Sequence, residues 1–166
     1  MPRAAERTGV AGDLIRWLSG AWSLRRAIND DPEAFVGEAT FTVERDGARW
    51  HETGRLRLDG HVGPASRTLL VVPAGDAWAV RFEDDRPFHP LDLRDGRCEV
   101  EHPCGADRYL GTYTCLGDDE LRVAWRVTGP SRDDTILTHY RRHRASRASV
   151  SAQSVTRRAA APAARR

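Results

Sequence analysis

No lysine occurs in this chain: all 26 basic residues among its 166 are Arg. An Arg-only set of bases is read as codon bias, and by itself it is no evidence for nucleic-acid binding. Cysteine is also sparse. Cys98, Cys104 and Cys115 are an odd set without secreted-scaffold spacing or a Cys-x-x-Cys pair, which argues against a disulfide framework and a standard zinc pattern. Near the N-terminus, Arg3, Glu6 and Arg7 stand where a signal peptide would need an apolar stretch. No run approaches the ~18 apolar residues of a membrane helix. The expectation is a cytoplasmic protein with free thiols and no membrane partner.

Acidic residues are missing from one region. Residues 141–166 hold 8 Arg and no acid, leaving 18 Arg against 24 acids in residues 1–140, a formal charge of −6. An acidic body repels phosphate backbones, so nucleic acid is not expected on the folded part. The basic tail is expected to be disordered, and any partner it contacts should be acidic.

What is present describes one ordinary globular domain, with 40% hydrophobic and 30% charged residues. The expected limits are a flexible start at 1–12, a folded domain at 13–142 and the tail at 143–166. Asp13 can cap a short helix carrying Leu14, Trp17 and Leu18 on one stripe before Gly20. Such a helix is too short to stand alone and must rest on something larger.

Beyond Gly20 the hydrophobic period becomes two, with turn signals about every dozen residues. Phe35, Gly37, Ala39, Phe41 and Val43 share one face. Asp46-Gly47 leads to Trp50, Gly54 and Leu56. Asp59-Gly60 and Gly63-Pro64 break the chain before a strand at 68–72. Further strands are expected around Trp78–Phe82, Phe88–Leu93, Cys98–His102, Arg108–Cys115, Leu121–Val127 and Thr135–Arg142. About ten strands in hairpin succession predict an all-β fold, a single antiparallel up-and-down barrel, because closure removes exposed edges.

Polar residues on otherwise apolar faces then mark an interior site, because burying an unpaired charge is costly. Arg26 shares a face with Trp22 and Leu24. Glu52 lies between Trp50 and Gly54, and His102 follows Cys98 and Val100. The densest group runs from His89 to Tyr113: His89, Asp92, His102, Cys104, Asp107, Tyr109 and Tyr113. The Asp95-Gly96 turn is expected to fold its two strands side by side. Either imidazole beside Asp92, Asp107 or Glu52 would make an acid/base pair, with Tyr109 or Tyr113 as proton donor. Cys104 beside a His would be a nucleophile. His89, His102 and Cys104 could approach a metal, and His89, His102 or His139 a haem iron, but no spacing names a cofactor.

Gly20-Ala21-Trp22, directly after the short helix, resembles the Gly-x-Trp signature of lipocalins and other calycins. That resemblance implies a Trp packed across the closed end of a barrel under an Arg of the last strand, Arg141 or Arg142. A wider resemblance covers about residues 14–142. It is carried by Gly20-x-Trp22, Trp50-x-Glu52-x-Gly54 and Phe88-His89-x-Leu91-Asp92-Leu93. The stretch His102-Pro103-Cys104-Gly105-x-Asp107-x-Tyr109-x-Gly111-x-Tyr113, then Trp125-x-Val127-x-Gly129-Pro130 and Tyr140-x-Arg142, complete it. These look like the motifs of an uncharacterised domain-of-unknown-function family of calycin-like barrels. Ser131-Arg132 and Trp50 depart from it, since members often have Lys after Gly-Pro and Tyr at the Trp50 position. The resemblance implies a fold and a site but no activity.

The leading expectation is a barrel binding a small, partly polar organic ligand. Arg26, Glu52, His89, Asp92, His102, Cys104, Asp107, Tyr109 and Tyr113 would line the cavity, with Arg26 as a possible anion partner. An enzyme using a His and a carboxylate in the same cavity, and an interaction module acting through surface and tail, are the alternatives.

Overall fold

The computed structural model describes residues 13–144, so the expected flexible start and nearly all of the expected tail lie outside the described residues. Helix α1 spans Leu14–Leu18, and Asp13 caps it by accepting from the Arg16 amide at 3.2 Å. Leu14, Ile15, Trp17 and Leu18 are all buried, so the helix is held by its packing against the barrel.

The strands follow as β1 (Gly20–Ile28), β2 (Asp31–Glu44), β3 (Gly47–Leu58), β4 (His61–Ala74) and β5 (Ala77–Phe82). Next come β6 (Pro87–Leu91), β7 (Arg97–Cys104), β8 (Asp107–Cys115), β9 (Glu120–Gly129) and β10 (Arg132–Arg142). All pairings are antiparallel, and the sheet order is β6-β5-β4-β3-β2-β1-β10-β9-β8-β7. The expected ten-strand meander is therefore present, rolled so that the first and last strands pair. Two-residue turns make six of the nine joints. At β3–β4, Asp59 and Gly60 both have positive φ (49° and 78°), the conformation whose twist matches a hairpin.

The two ends of the sheet order, β6 and β7, are consecutive in the chain and form the one unzipped seam. The 95–96 turn was expected to pair them, but no ladder forms. His102 Nδ1–H instead donates to the Phe88 carbonyl across the seam at 2.9 Å. Pro87 and Pro90 on β6 lack amide donors, and Glu99 and Glu101 on β7 are charged, so neither edge is a good template for a foreign strand.

The Gly63-Pro64 break is also overturned, because β4 runs through it. From His61 to Thr68 this strand pairs with β3 only, β5 joining at Leu69, so a proline can sit there without removing a needed ladder donor. Elsewhere glycine permits close approach. Gly37 faces Gly54, and a Cβ on Gly37 would lie 2.1 Å from the Thr53 carbonyl oxygen.

One end of the barrel is closed. Trp22 and Trp17 meet with centroids 5.3 Å apart, and the Trp22 indole N–H donates to the Leu18 carbonyl at 2.8 Å. Arg142 lies 4.2 Å over the Trp22 ring. Its guanidinium donates to the carbonyls of Ser19, Trp17 and Asp118, tying β10 to the end of α1. Of the two arginines implied for this role, Arg142 takes it. Below this plug the core continues through Leu24, Phe41, Trp50, Leu69, Val71 and Leu91, each side chain contributing roughly 1.5–3 kcal/mol on burial.

Candidate functional site

The alternation that builds the core also carries polar groups inward. Glu52, two residues beyond Trp50 on β3, is only 1% exposed. Three partners surround it. Arg26 of β1 donates through Nη2 at 2.8 Å, Arg67 of β4 through Nη2 at 3.0 Å and Tyr140 of β10 through its hydroxyl at 2.5 Å. Arg26 also donates from Nε to Thr138 Oγ1 at 2.8 Å. Burial by itself would raise the Glu52 carboxyl, but the charges of Arg67 and Arg26 and the hydrogen bonds from Tyr140 and Arg26 outweigh it and hold the group at about 2. Glu52 is therefore a fixed anion. Tyr140, buried and beside that anion, is pushed far above the usual phenol range and stays protonated.

Two guanidiniums around one carboxylate leave one positive charge in excess. Each Arg carries five N–H donors. Among the described residues Arg67 commits one of them, leaving four without an acceptor, and Arg26 commits Nε and both on Nη2, leaving two. Arg67 also lies over the Trp50 ring, 5.8 Å from its centroid. These groups line an interior cavity of about 230 Å³, whose walls include Trp50, Leu69, Phe88, Tyr109, Tyr113 and Trp125. At about 30 Å³ per water it would hold roughly seven or eight. Trp50 is buried, and its indole N–H has no acceptor among the described residues.

The second polar group lies across the cavity. His89 is 4% exposed, with Nδ1 at 2.7 Å from the Pro90 carbonyl and Nε2 at 2.9 Å from the Tyr113 hydroxyl. A carbonyl only accepts, so Nδ1 carries the proton and Tyr113 donates to Nε2. Desolvation, with smaller contributions from His102 and Arg67, lowers the imidazole to about 4. Tyr113 is raised by burial. The pair is a neutral imidazole and a neutral phenol. His102 packs against Phe88 and Phe82 with centroids at 5.0 and 5.6 Å, at the seam.

The expected site residues thus separate into two sets. Arg26, Tyr109 and Tyr113 line the cavity, Glu52 anchors its arginines, His89 bonds Tyr113 behind its wall, and His102 sits at the seam beside Phe88. Asp92, Cys104 and Asp107 are elsewhere. Asp92 grips Arg94 on the surface, Cys104 is exposed beside a turn, and Asp107 lies against Gly129 at the start of β8. Neither His89 nor His102 is bonded to a carboxylate, so the expected His–carboxylate pair does not form; their partners are carbonyls and a phenol. Among the described residues no cluster of three His, Cys, Asp or Glu side chains could hold a metal ion. All three thiols are free.

Three important residues escaped the sequence reading. Arg67 precedes the expected start of its strand at Thr68, although it alternates with Leu69 and Val71. Thr138 and Tyr140 alternate with Ile136 by the same period that selected Arg26. Trp125 is half-buried and forms cavity wall, its ring resting where a Cβ on Gly111 would come within 2.6 Å. A wider hollow of about 700 Å³ lies on the outer face, lined chiefly by outward residues such as Leu110, Thr112, Ala124 and Leu137. Its charged lining residues, Glu99 and Arg126, are both exposed.

A family model described as a family of unknown function, DUF6314, matches residues 18–142. No curated protein matches the sequence. Among solved structures, the S-type phycobiliprotein lyase CPES from Guillardia theta is similar at 8% identity and a TM-score of 0.56, over 86% of this chain and 100% of that one. A redesigned beta barrel is similar at 14% identity and a TM-score of 0.44, over 78% and 95% of the two chains. A second redesigned barrel, bound to DFHBI, follows at 13% identity and 0.41, over 77% and 97%. No helix among the described residues is long and apolar enough to cross a membrane.

Proposed function

We propose that this chain, which belongs to that family of unknown function, is a cytoplasmic, calycin-like barrel protein that binds a small, partly polar organic molecule in its interior cavity. One observation carries the reading: an aromatic-walled cavity of about 230 Å³ also presents charged guanidinium donors that no group among the described residues accepts from. A core built for stability alone gains little from such an arrangement. Buried ion clusters are often no more stabilising than apolar side chains of the same volume. Binding sites, by contrast, combine apolar walls with a few placed polar groups. Catalysis by an imidazole base draws less support, because both nitrogens of His89 are already engaged.

Filling the cavity tests the proposal. Ile136 is half-buried on its rim, so Ile136→Trp occupies space without disturbing the central core. Saturation-transfer NMR with a library of small aromatic and heteroaromatic fragments should show fragments that contact the full-length wild type and are released in the variant. Circular dichroism confirms the fold. A library that never binds, or binds both proteins alike, overturns the reading.

A further inference from the structure

The cavity's charge and donor count specify more than a generic small molecule. We propose that its ligand is a planar aromatic monocarboxylate, with the carboxylate on Arg67 and Arg26 and the ring lying against the wall formed by Trp50, Phe88 and Trp125. This rests on the cavity being a binding site at all, and it deepens that reading by naming the ligand's chemistry.

Charge comes first. Arg26 and Arg67 together carry two positive charges and Glu52 returns one, so a ligand with a single negative charge brings the cluster to neutrality. A neutral ligand leaves that excess charge to be met by solvent alone, which reaches the half-exposed Arg67 more than Arg26, and a dianion overshoots. Geometry comes second. An ionised carboxylate accepts up to about four hydrogen bonds and pairs with guanidinium in a two-pronged fashion. Six N–H groups on the two arginines have no acceptor among the described residues, and Glu52 holds both guanidiniums from one side. Glu52 is therefore a positioning residue: it fixes the guanidiniums without meeting the ligand.

The apolar part follows from the walls. Phe88 and Trp125 lie with centroids 5.4 Å apart and planes inclined by 37°, and Tyr109 and Tyr113 meet Trp125 edge-on. Such walls suit a flat ring better than a branched aliphatic chain, because stacked and edge-to-face contacts add to area burial. A volume of about 230 Å³ limits the ligand to one or two rings.

A matched pair of probes tests this on the full-length protein: naphthalene-2-carboxylate and naphthalene-2-carboxamide, which share shape and differ in charge. Calorimetric titration should give the acid an advantage of roughly ten-fold, about 1.4 kcal/mol, since hydrogen bonds between charged partners are stronger than those to a neutral amide. In Arg67→Ala the acid-over-amide ratio should fall towards one while amide affinity stays within a few-fold. A merely structural role for Arg67 would lower both equally. Equal binding of acid and amide to wild type overturns the carboxylate assignment while leaving the cavity reading intact. A preference that survives Arg67→Ala overturns the placement. Failure of both probes overturns the ligand class, and the cavity reading then stands or falls on whether fragments sense Ile136→Trp.

Discussion

The two poles of the barrel use arginine in opposite ways. At the closed end Arg142 lies over Trp22, donates to the carbonyls of Ser19, Trp17 and Asp118, and faces Asp119 at 3.3 Å. Its acceptors are mostly backbone, and it is nearly saturated. In the cavity Arg67 donates once, to Glu52, and keeps four N–H groups without an acceptor among the described residues. The residue type is the same, and so is the neighbouring indole. What separates a structural arginine from a candidate binding one is the number of donors already satisfied. Burial alone does not make that distinction: of the two cavity arginines Arg67 is more exposed than Arg142, at 42% against 23%, and Arg26 less, at 15%.

The sharpest way to break this contrast is to remove the cavity's own anchor. Glu52→Ala leaves Arg26 confined with no counter-charge, and uncompensated buried charge costs about 3–5 kcal/mol. Urea denaturation should show a loss of that order. A change below about 1 kcal/mol would mean that the guanidiniums swing into solvent and that Glu52 does not hold them.

Acid distinguishes the poles next. The carbonyls that hold Arg142 do not titrate, whereas His89 does. An unfolded imidazole takes its proton near 6.5 and the folded one only near 4, because burial opposes the charge. Above 6.5 both states are neutral, and the folded state incurs no penalty. Between 6.5 and 4 the unfolded chain binds a proton that the folded chain refuses, so stability falls, by about 3 kcal/mol at roughly 1.36 per unit; below 4 this contribution is constant. Glu52 follows with its own loss as pH drops from the ordinary 4.5 towards 2. His89→Gln should flatten the upper window in urea midpoints measured against pH and leave the lower one. An unchanged upper slope would assign it to other groups.

How much of this was legible depends on the range of the signal. The ten strands and the capped helix are local patterns: alternation, a capping Asp and turn dipeptides. Trp22 was correctly placed at the closed end, and Arg26 and Glu52 were identified as misfits on apolar faces. Register-dependent facts were not legible. Arg67 meets Glu52 because those residues are direct partners between β3 and β4, and Tyr140 reaches Glu52 from a strand 88 residues on. Asp92, Cys104 and Asp107 drew attention because they lie close in sequence to His89 and His102. Their side chains fall at turns and strand ends, where alternation no longer decides the facing. The His89–Tyr113 bond likewise spans the seam rather than a hairpin, so no turn dipeptide could announce it.

Smaller effects complete the comparison. Arg142→Ala should cost about 2 kcal/mol, mainly through the lost cation–π contact and the carbonyls left without a donor. It should leave binding in the cavity untouched. Arg67→Ala should cost about 1 kcal/mol or less, because its side chain is 42% exposed and Arg26 and Tyr140 still hold Glu52. The informative quantity is the crossing of the two variants. Arg142→Ala should lower the urea midpoint more and keep the acid-over-amide ratio, and Arg67→Ala should lower it less and lose the ratio. If the two variants moved both quantities in parallel, the poles would be a single cooperative unit, and counting unsatisfied donors would not separate an arginine that holds the fold from one that meets a ligand.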